Sequence, residues 1–420
     1  MTALILPDLA LILLIGPAGA GKSTFARRHF RPTEVVSSDA CRAWVRDDEG
    51  DQAATGDAFE VLHLIVAKRL AAGRLTVVDA TNVQREARRP LLALARRHHC
   101  PTVAIVFDLP EAECQARNRA RPERQVTAAV VREQHRQLQR TLAGLRQEGL
   151  RAVHVLRSAA AVEMATVERR PLPCDRRADS GPFDVIGDVH GCHGELRELL
   201  ARLGYVPAGE GMRHPQGRRA VFVGDLVDRG PATPAVLRLV MAMVEQGDAL
   251  CVVGNHDDKL ARALRGRAVQ VGHGLAESLA QLQGEGEDFR RRVAAFLEGL
   301  PSHYVLDGGR LVVAHAGLRA ELHGRDSRSV RAFALYGDTG GEIDDYGLPV
   351  RRDWAAAYRG QALVVYGHTP LAEPTWQNNT LCIDTGCVFG GRLSALRYPE
   401  GELVAVPAQR CYWTPARPLG

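Results

Sequence analysis

The sequence predicts two α/β domains in tandem, a parallel sheet flanked by helices followed by a layered α/β core with its site along one edge. Three observations carry that prediction. At 420 residues the chain is too long for one ordinary core and suits two. Its first half alternates apolar strands with helical stretches. Its second half repeats a different pattern, short apolar strands that each run into a cluster of Asp, Asn or His.

In chain order, the apolar run from Ala3 to Ile15 reads as a first buried strand, broken by Pro7-Asp8 and too short and uncharged at its start for a signal peptide or membrane span. A helix opens at Gly21, Glu34 to Ser37 is the next strand, and a helix covers Phe59 to Ala71. Strands at Leu75 to Asp79 and Thr102 to Phe107, a helix from Thr127 to Gln147 and a strand at Ala152 to Leu156 complete a domain over residues 1–170. Residues 171–182 lie in an aperiodic Arg, Pro, Asp and Gly stretch and are the expected linker. The second domain, 183–420, has strands at Phe183 to Ile186, Arg219 to Val223, Ala249 to Val253, Leu311 to Ala314 and Ala362 to Tyr366. Residues 257–300 and 318–360 are expected to wall its site.

Between the first strand and its helix stands Gly16-Pro-Ala-Gly19-Ala-Gly21-Lys22-Ser23-Thr24. Gly-x-x-x-x-Gly-Lys-Ser in that setting offers backbone amides to a β-phosphate, Lys22 to the transferring phosphate and Ser23 to Mg²⁺, so ATP or another NTP with Mg²⁺ is the expected cofactor. The next strand ends in Ser37-Ser38-Asp39-Ala-Cys-Arg42, which places a base and a cation for a charged hydroxyl acceptor beside the loop. Asp79 opens Asp-Ala-Thr-Asn82, a position that supports Mg²⁺ or orients Asn82, and Arg117 and Arg121 stand at i,i+4 as lid cations.

These motifs, with Arg-Asn-Arg-x-Arg, resemble the polynucleotide 5′-kinase family. The resemblance implies that Lys22 and Ser23 contact phosphate and Mg²⁺, Asp39 is the general base, Arg42 holds the acceptor phosphate, and Arg117 and Arg121 close the lid.

The second domain presents Asp188-Val-His190, Gly224-Asp225-Leu-Val-Asp228-Arg229, Gly254-Asn255-His256-Asp257, His315-Ala-Gly and Gly367-His368 in order. Paired divalent ions need a bridging carboxylate, oxygen ligands and imidazoles. Asp188, His190 and Asp225 are expected to hold one metal, and Asp225, Asn255, His315 and His368 the other. The set resembles the calcineurin-type binuclear metallophosphoesterases, which implies an α/β sandwich, two metals such as Mn²⁺, Arg229 on a phosphate oxygen, and His256, paired with Asp228, as proton donor to the leaving group. Asp384 in Ile383-Asp-Thr-Gly supports an imidazole, lines the site or is a plain turn aspartate.

The stretches Tyr336-Gly-Asp-Thr-Gly-Gly and Gly347-Leu-Pro-Val-Arg-Arg-Asp-Trp354 resemble the phosphatase module of the bacterial polynucleotide kinase-phosphatase of RNA end repair. That resemblance implies a polynucleotide 5′-hydroxyl kinase joined to a 3′-phosphatase and 2′,3′-cyclic phosphodiesterase. None of Lys22, Lys68 and Lys259, the only lysines, stands in the Lys-x-Asp-Gly motif of a ligase, so either a separate ligase partner is expected or the chain is a truncated form.

Residues 1–170 hold 26 Lys+Arg against 19 Asp+Glu, a surplus of 7, and the rest 28 against 30. A basic front half suits a polyanion such as an RNA or DNA end. Nine cysteines without a Cys-x-x-Cys pair point to reduced thiols and the cytoplasm. No membrane partner is expected, and a homodimer stays open. A competing expectation keeps the catalysis and changes the substrate, namely a small-molecule kinase fused to a dinucleoside-polyphosphate or protein phosphatase.

Overall fold

The computed structural model describes residues 3–120, 126–344 and 349–415. It divides into two compact units, Met1–Leu172 with Arg325–Ser327, and Pro173–Gly324 with Arg328–Gly420.

The first unit is built on a five-stranded parallel sheet in the order Val35–Ser37, Thr76–Asp79, Leu11–Ile15, Thr102–Phe107, Ala152–Leu156. Leu11–Ile15 is central and buried along its whole length, which is why its sequence is uninterruptedly apolar. Helices cover both faces. Lys22–His29 packs Phe25 and Ala26 on one, and Thr55–Ala71 with Arg85–Arg97 packs Leu62, Val66 and Leu91 on the other. The expected strand from Leu9 to Ile15 is Leu11–Ile15, and the apolar run before it is a strand of its own. Ala3–Pro7 leaves the main sheet to pair in parallel with Thr166–Arg170, because Pro7 has no amide to donate and Asp8 turns the chain.

The second unit is a four-layer sandwich. One sheet runs Ala249–Cys251, Arg219–Phe222, Phe183–Ile186, Arg392–Tyr398, Glu402–Pro407. The other runs Thr375–Gln377, Thr380–Cys382, Leu363–Tyr366, Leu311–Ala314, His303–Leu306, Asp175–Arg176. Period-two alternation sorts the side chains. Phe183, Val185, Val221 and Val223 meet Leu306, Leu311, Val313 and Val365 between the sheets. Ile186, Ala220 and Phe222 face the helices His193–Arg202 and Thr233–Glu245. Val312, Ala314 and Val364 face the helix Arg328–Tyr336 and Trp354.

The stretch expected as a bare linker contributes an edge strand, Asp175–Arg176, whose Asp175 pairs with Val305. Residues 257–300 and 318–360 supply the helices Asn255–Leu264, Leu275–Gln283 and Glu287–Gly299 and the hairpin Asp338–Ile343 with Pro349–Arg352. All nine cysteines are free thiols, eight of them buried. Among the described residues no helix is long and apolar enough to cross a membrane.

Candidate active sites

In the first unit the glycine loop turns from the central strand into its helix. Gly16 donates its amide to the Thr81 carbonyl (2.9 Å), and Gly21 caps the helix with φ +93°. Gly19 is required twice over, since it has φ +81° and an added Cβ would fall 2.1 Å from the Cys114 carbonyl oxygen. Lys22 Nζ donates to the carbonyls of Gly16 (2.8 Å) and Pro17 (2.9 Å), so the ammonium lies inside the loop. Ser23 follows it beside Asp79, and Thr24 is exposed on the same helix. Burial pushes the Asp79 carboxyl up, opposed by the Lys22 charge and the Ser23 hydrogen bond.

Arg42 donates to Asp39 Oδ1 at 2.6 Å, so the expected base and acceptor cation neutralise each other and must part to meet a substrate. Asn82 donates to the Leu14 carbonyl (2.9 Å), and the fully buried Arg88 joins the Asn82 carbonyl (2.7 Å) to Glu148 (2.5 Å), fixing the turn after Asp79. Lys22, Ser23, Asp39, Arg42 and Asp79 share one cavity of about 830 Å³. Arg117 pairs with Glu113 one turn back (2.6 Å), and its Nη1 is 3.6 Å from where a Gly21 Cβ would lie. Arg121 lies outside the described residues.

In the second unit the loops after parallel strands converge. Asp225 is the hub. Its Oδ2 lies 3.6 Å from His190 Nε2, 4.0 Å from His256 Nε2 and 3.3 Å from His315 Nε2. Ligand atoms of His190, Asp225 and His256 fall within 4.8 Å of one another, as do those of Asp225, His315 and His368. Asn255 Oδ1 is 2.9 Å from His315 Nε2, and His368 Nδ1 is 3.0 Å from the same atom.

One placement differs from expectation. Asp188 Oδ2 accepts from the His368 amide (3.1 Å), and the tightest first cluster holds His256 with His190 and Asp225, with the Arg229 guanidinium between His190 Nε2 (2.7 Å) and His256 Nε2 (2.9 Å). The other Asp188 oxygen, Oδ1, is buried without a partner, and a Cβ on Gly367 would lie 1.9 Å from it. A buried orphan carboxylate oxygen beside imidazoles and a second carboxylate fits divalent cations.

Electrostatics follow from burial and mutual proximity. Burial, then Asp384 and Asp225, push the Asp188 carboxyl well up. Burial also works to raise Asp225, but the imidazoles of His315 and His256 hold it well below the carboxylate range. Burial and the Arg229 charge keep His190 neutral, and burial and Arg351 do the same for His368. His190 Nδ1 donates to the Val227 carbonyl (2.7 Å) and His315 Nδ1 to that of Val223 (3.1 Å), which turns each Nε2 toward the cluster, where that of His190 accepts from Arg229. His256 Nδ1 is held by Asp228 Oδ2 at 2.6 Å.

His190, Asp225, Asp228, Arg229 and His368 all adopt left-handed backbone, with φ between 43° and 74°. Two supporting residues, Asp257 and Ser278, were not assigned roles from sequence, and a third, Asp384, was given alternatives. Asp257 accepts from the amides of Leu226 (3.0 Å) and Gly254 (2.9 Å), tying the two ligand loops together, and burial with the Asp225 charge pushes its carboxyl up to about 7. Its place in the first turn of a helix is a capping signal that marks it. Ser278 accepts from the Asp228 amide (2.9 Å), a contact no local pattern announces. Asp384 accepts from the Gly386 amide (3.0 Å), lines the cavity, and is pushed up to about 6 by burial.

A model of the AAA domain matches residues 11–145, and a model of the calcineurin-like phosphoesterases matches residues 181–396. A protein of Anoxybacillus flavithermus is 50% identical over 234 residues, 55% of this chain and 96% of its own. One of Geobacillus thermodenitrificans is 50% identical over 230 residues, 54% of this chain and 94% of its own. One of Bacillus subtilis is 47% identical over 234 residues, 55% of this chain and 96% of its own. Each is named an asymmetrical bis(5′-nucleosyl)-tetraphosphatase, PrpE. These names overturn the expectation of nucleic-acid end healing and agree better with its competitor, a nucleotide-loop kinase fused to a dinucleoside-polyphosphate phosphatase. The resemblance to a bacterial polynucleotide kinase-phosphatase holds only as far as the two kinds of domain. The metal-ligand motifs specify phosphoester chemistry and leave the substrate to the walls.

Proposed function

Since this chain belongs to the calcineurin-like phosphoesterase family, we propose that its second unit is a metal-dependent hydrolase that cuts dinucleoside tetraphosphates asymmetrically, into a nucleoside triphosphate and a nucleoside monophosphate. The observation that carries the reading is the 50% identity to a relative so named over 96% of that relative's length. A cavity of about 970 Å³ over Asp225, His190 and His256 gives such a substrate room.

Asp188, His190 and Asp225, and Asp225 with Asn255, His315 and His368, would hold two divalent cations, which when bound would supply Lewis acidity for the charge on the phosphoryl group. Arg229, aimed between the imidazoles, binds a non-bridging oxygen once it turns from them. Asp228 holds the His256 ring so that Nε2 faces the cavity, where it delivers a proton to the departing oxygen as the P–O bond breaks and water supplies the new one. The first unit, with Lys22, Ser23 and Asp79 across one cavity from Asp39 and Arg42, binds a nucleoside triphosphate with Mg²⁺ and phosphorylates a small anionic alcohol.

Incubation of the full chain with diadenosine tetraphosphate and Mn²⁺ tests the first proposal by chromatography of the products. ATP and AMP in equal amounts are expected, whereas two ADP, or no turnover, contradicts it.

A further inference from the structure

The helix Asn255–Leu264 begins at the metal-ligand cluster and leads away from it along the cavity wall. Asn255, Lys259 and Arg262 are spaced i, i+4 and i+7, one helical face, and all three line the cavity. Along the axis Lys259 is roughly 6 Å and Arg262 roughly 10 Å beyond Asn255. Neither cation makes an ion pair or side-chain hydrogen bond among the described residues. That sets them apart from their neighbours. Asp258, between them and the cluster, is taken by Arg331 at 2.6 Å, and Arg265 and Arg267 both pair with Glu298 (2.9 and 3.6 Å).

The carboxylates that line the cavity, Asp225 and Asp384, are buried at its floor, so among the described residues no acid on the wall compensates the two charges. His273 reports the same field. Its imidazole is pushed down by partial burial and then by the adjoining charges of Lys259 and Arg229. Holding unpaired like charges in file costs self-repulsion, which an anion with charges repeated along a chain would relieve.

We infer that Lys259 and Arg262, continuing outward from Arg229, form a track for linked phosphates beyond the one at the metals, and so select substrates by polyphosphate length. The inference rests on the hydrolase reading for its natural ligand, a dinucleoside polyphosphate, but the track itself requires only a polyphosphate chain. A short phosphate ester reaches the floor and leaves the track empty.

The test is inhibition of p-nitrophenyl phosphate or bis-p-nitrophenyl phosphate hydrolysis by tripolyphosphate and by orthophosphate, at fixed free Mn²⁺. In the unaltered protein tripolyphosphate is expected to inhibit at a concentration at least 10-fold lower than orthophosphate. Lys259→Gln with Arg262→Gln is expected to bring that ratio to within 2-fold, and Lys259→Arg with Arg262→Lys to keep it. Because Arg262 is exposed, Arg262→Gln alone gives a folded variant with an intermediate ratio. No preference for tripolyphosphate in the unaltered protein, an unchanged ratio in the Gln variants, or an equal loss in the charge-keeping variant overturns the inference. A length preference without turnover of diadenosine tetraphosphate would instead leave the track standing and remove the proposed substrate.

Discussion

His256 owes its chemistry to what holds its two ring nitrogens. Asp228 fixes Nδ1 as the donor, so Nε2 is the atom that meets the cavity and the Arg229 guanidinium. Replacement by Asn leaves the cluster's other donors in place and removes the mobile proton. Hydrolysis of a diester with an alkoxide leaving group is expected to fall roughly 100-fold or more in His256→Asn, and that of a p-nitrophenyl ester much less, because nitrophenolate departs without a proton. Equal losses across a series of leaving groups would remove His256 from proton delivery. At this scale the sequence was readable where a residue sat in a run after a strand, as His190, Asp225 and His315 do. It was silent where a contact joins distant segments, as Ser278 with Asp228 and the swing of Arg229 between two imidazoles do, since neither partner's neighbours carry a mark of the other.

Strands buried on both faces, such as Leu11–Ile15 and Thr102–Phe107, declare themselves by continuous apolar runs. Edge elements do not. Asp175–Arg176 and the Thr166–Arg170 strand are polar because one side faces solvent, and the hairpin of Arg392–Tyr398 with Glu402–Pro407 closes a sheet far from its neighbour in sequence. One strand also carries a titration signature. His303, buried in His303–Leu306, accepts from the Gly324 amide at 3.0 Å, and burial, then His323 and Arg177, push its imidazole down to about 3. The folded state keeps this ring neutral while the unfolded chain takes up a proton below its ordinary value of 6.5. Its contribution to stability is therefore complete above that pH and is lost as pH falls toward 3, at up to about 1.4 kcal/mol per pH unit. Urea unfolding of the second unit between pH 7 and 4 should show this slope, and His303→Gln, which retains an acceptor for Gly324, should flatten it. An unchanged slope in that variant would assign the acid sensitivity to other groups.

Two units with separate cores and separate cavities are expected to respond to mutation separately. Lys22→Ala is expected to weaken nucleoside triphosphate binding at least 10-fold, measured by calorimetry, while Asp225→Asn removes hydrolysis and spares that binding. Loss of both activities in either variant would tie the two sites together. The tandem organisation was legible because each glycine loop, metal ligand and strand end announces its own chemistry. What each unit acts on was not, because the cavity walls are lined by residues such as Lys259, Arg262 and Tyr336, whose types are unremarkable on any surface.

The left-handed backbone shared by five residues of the second unit's site bears on how this protein would respond to selection. A non-glycine residue held there costs about 1 kcal/mol that glycine would not incur. A laboratory screen that rewards heat resistance alone should therefore drift toward glycine at positions such as Arg229 and Asp228, harvesting sturdier but inert proteins. Breeding a thermostable form of this enzyme calls for scoring turnover and melting together from the first round.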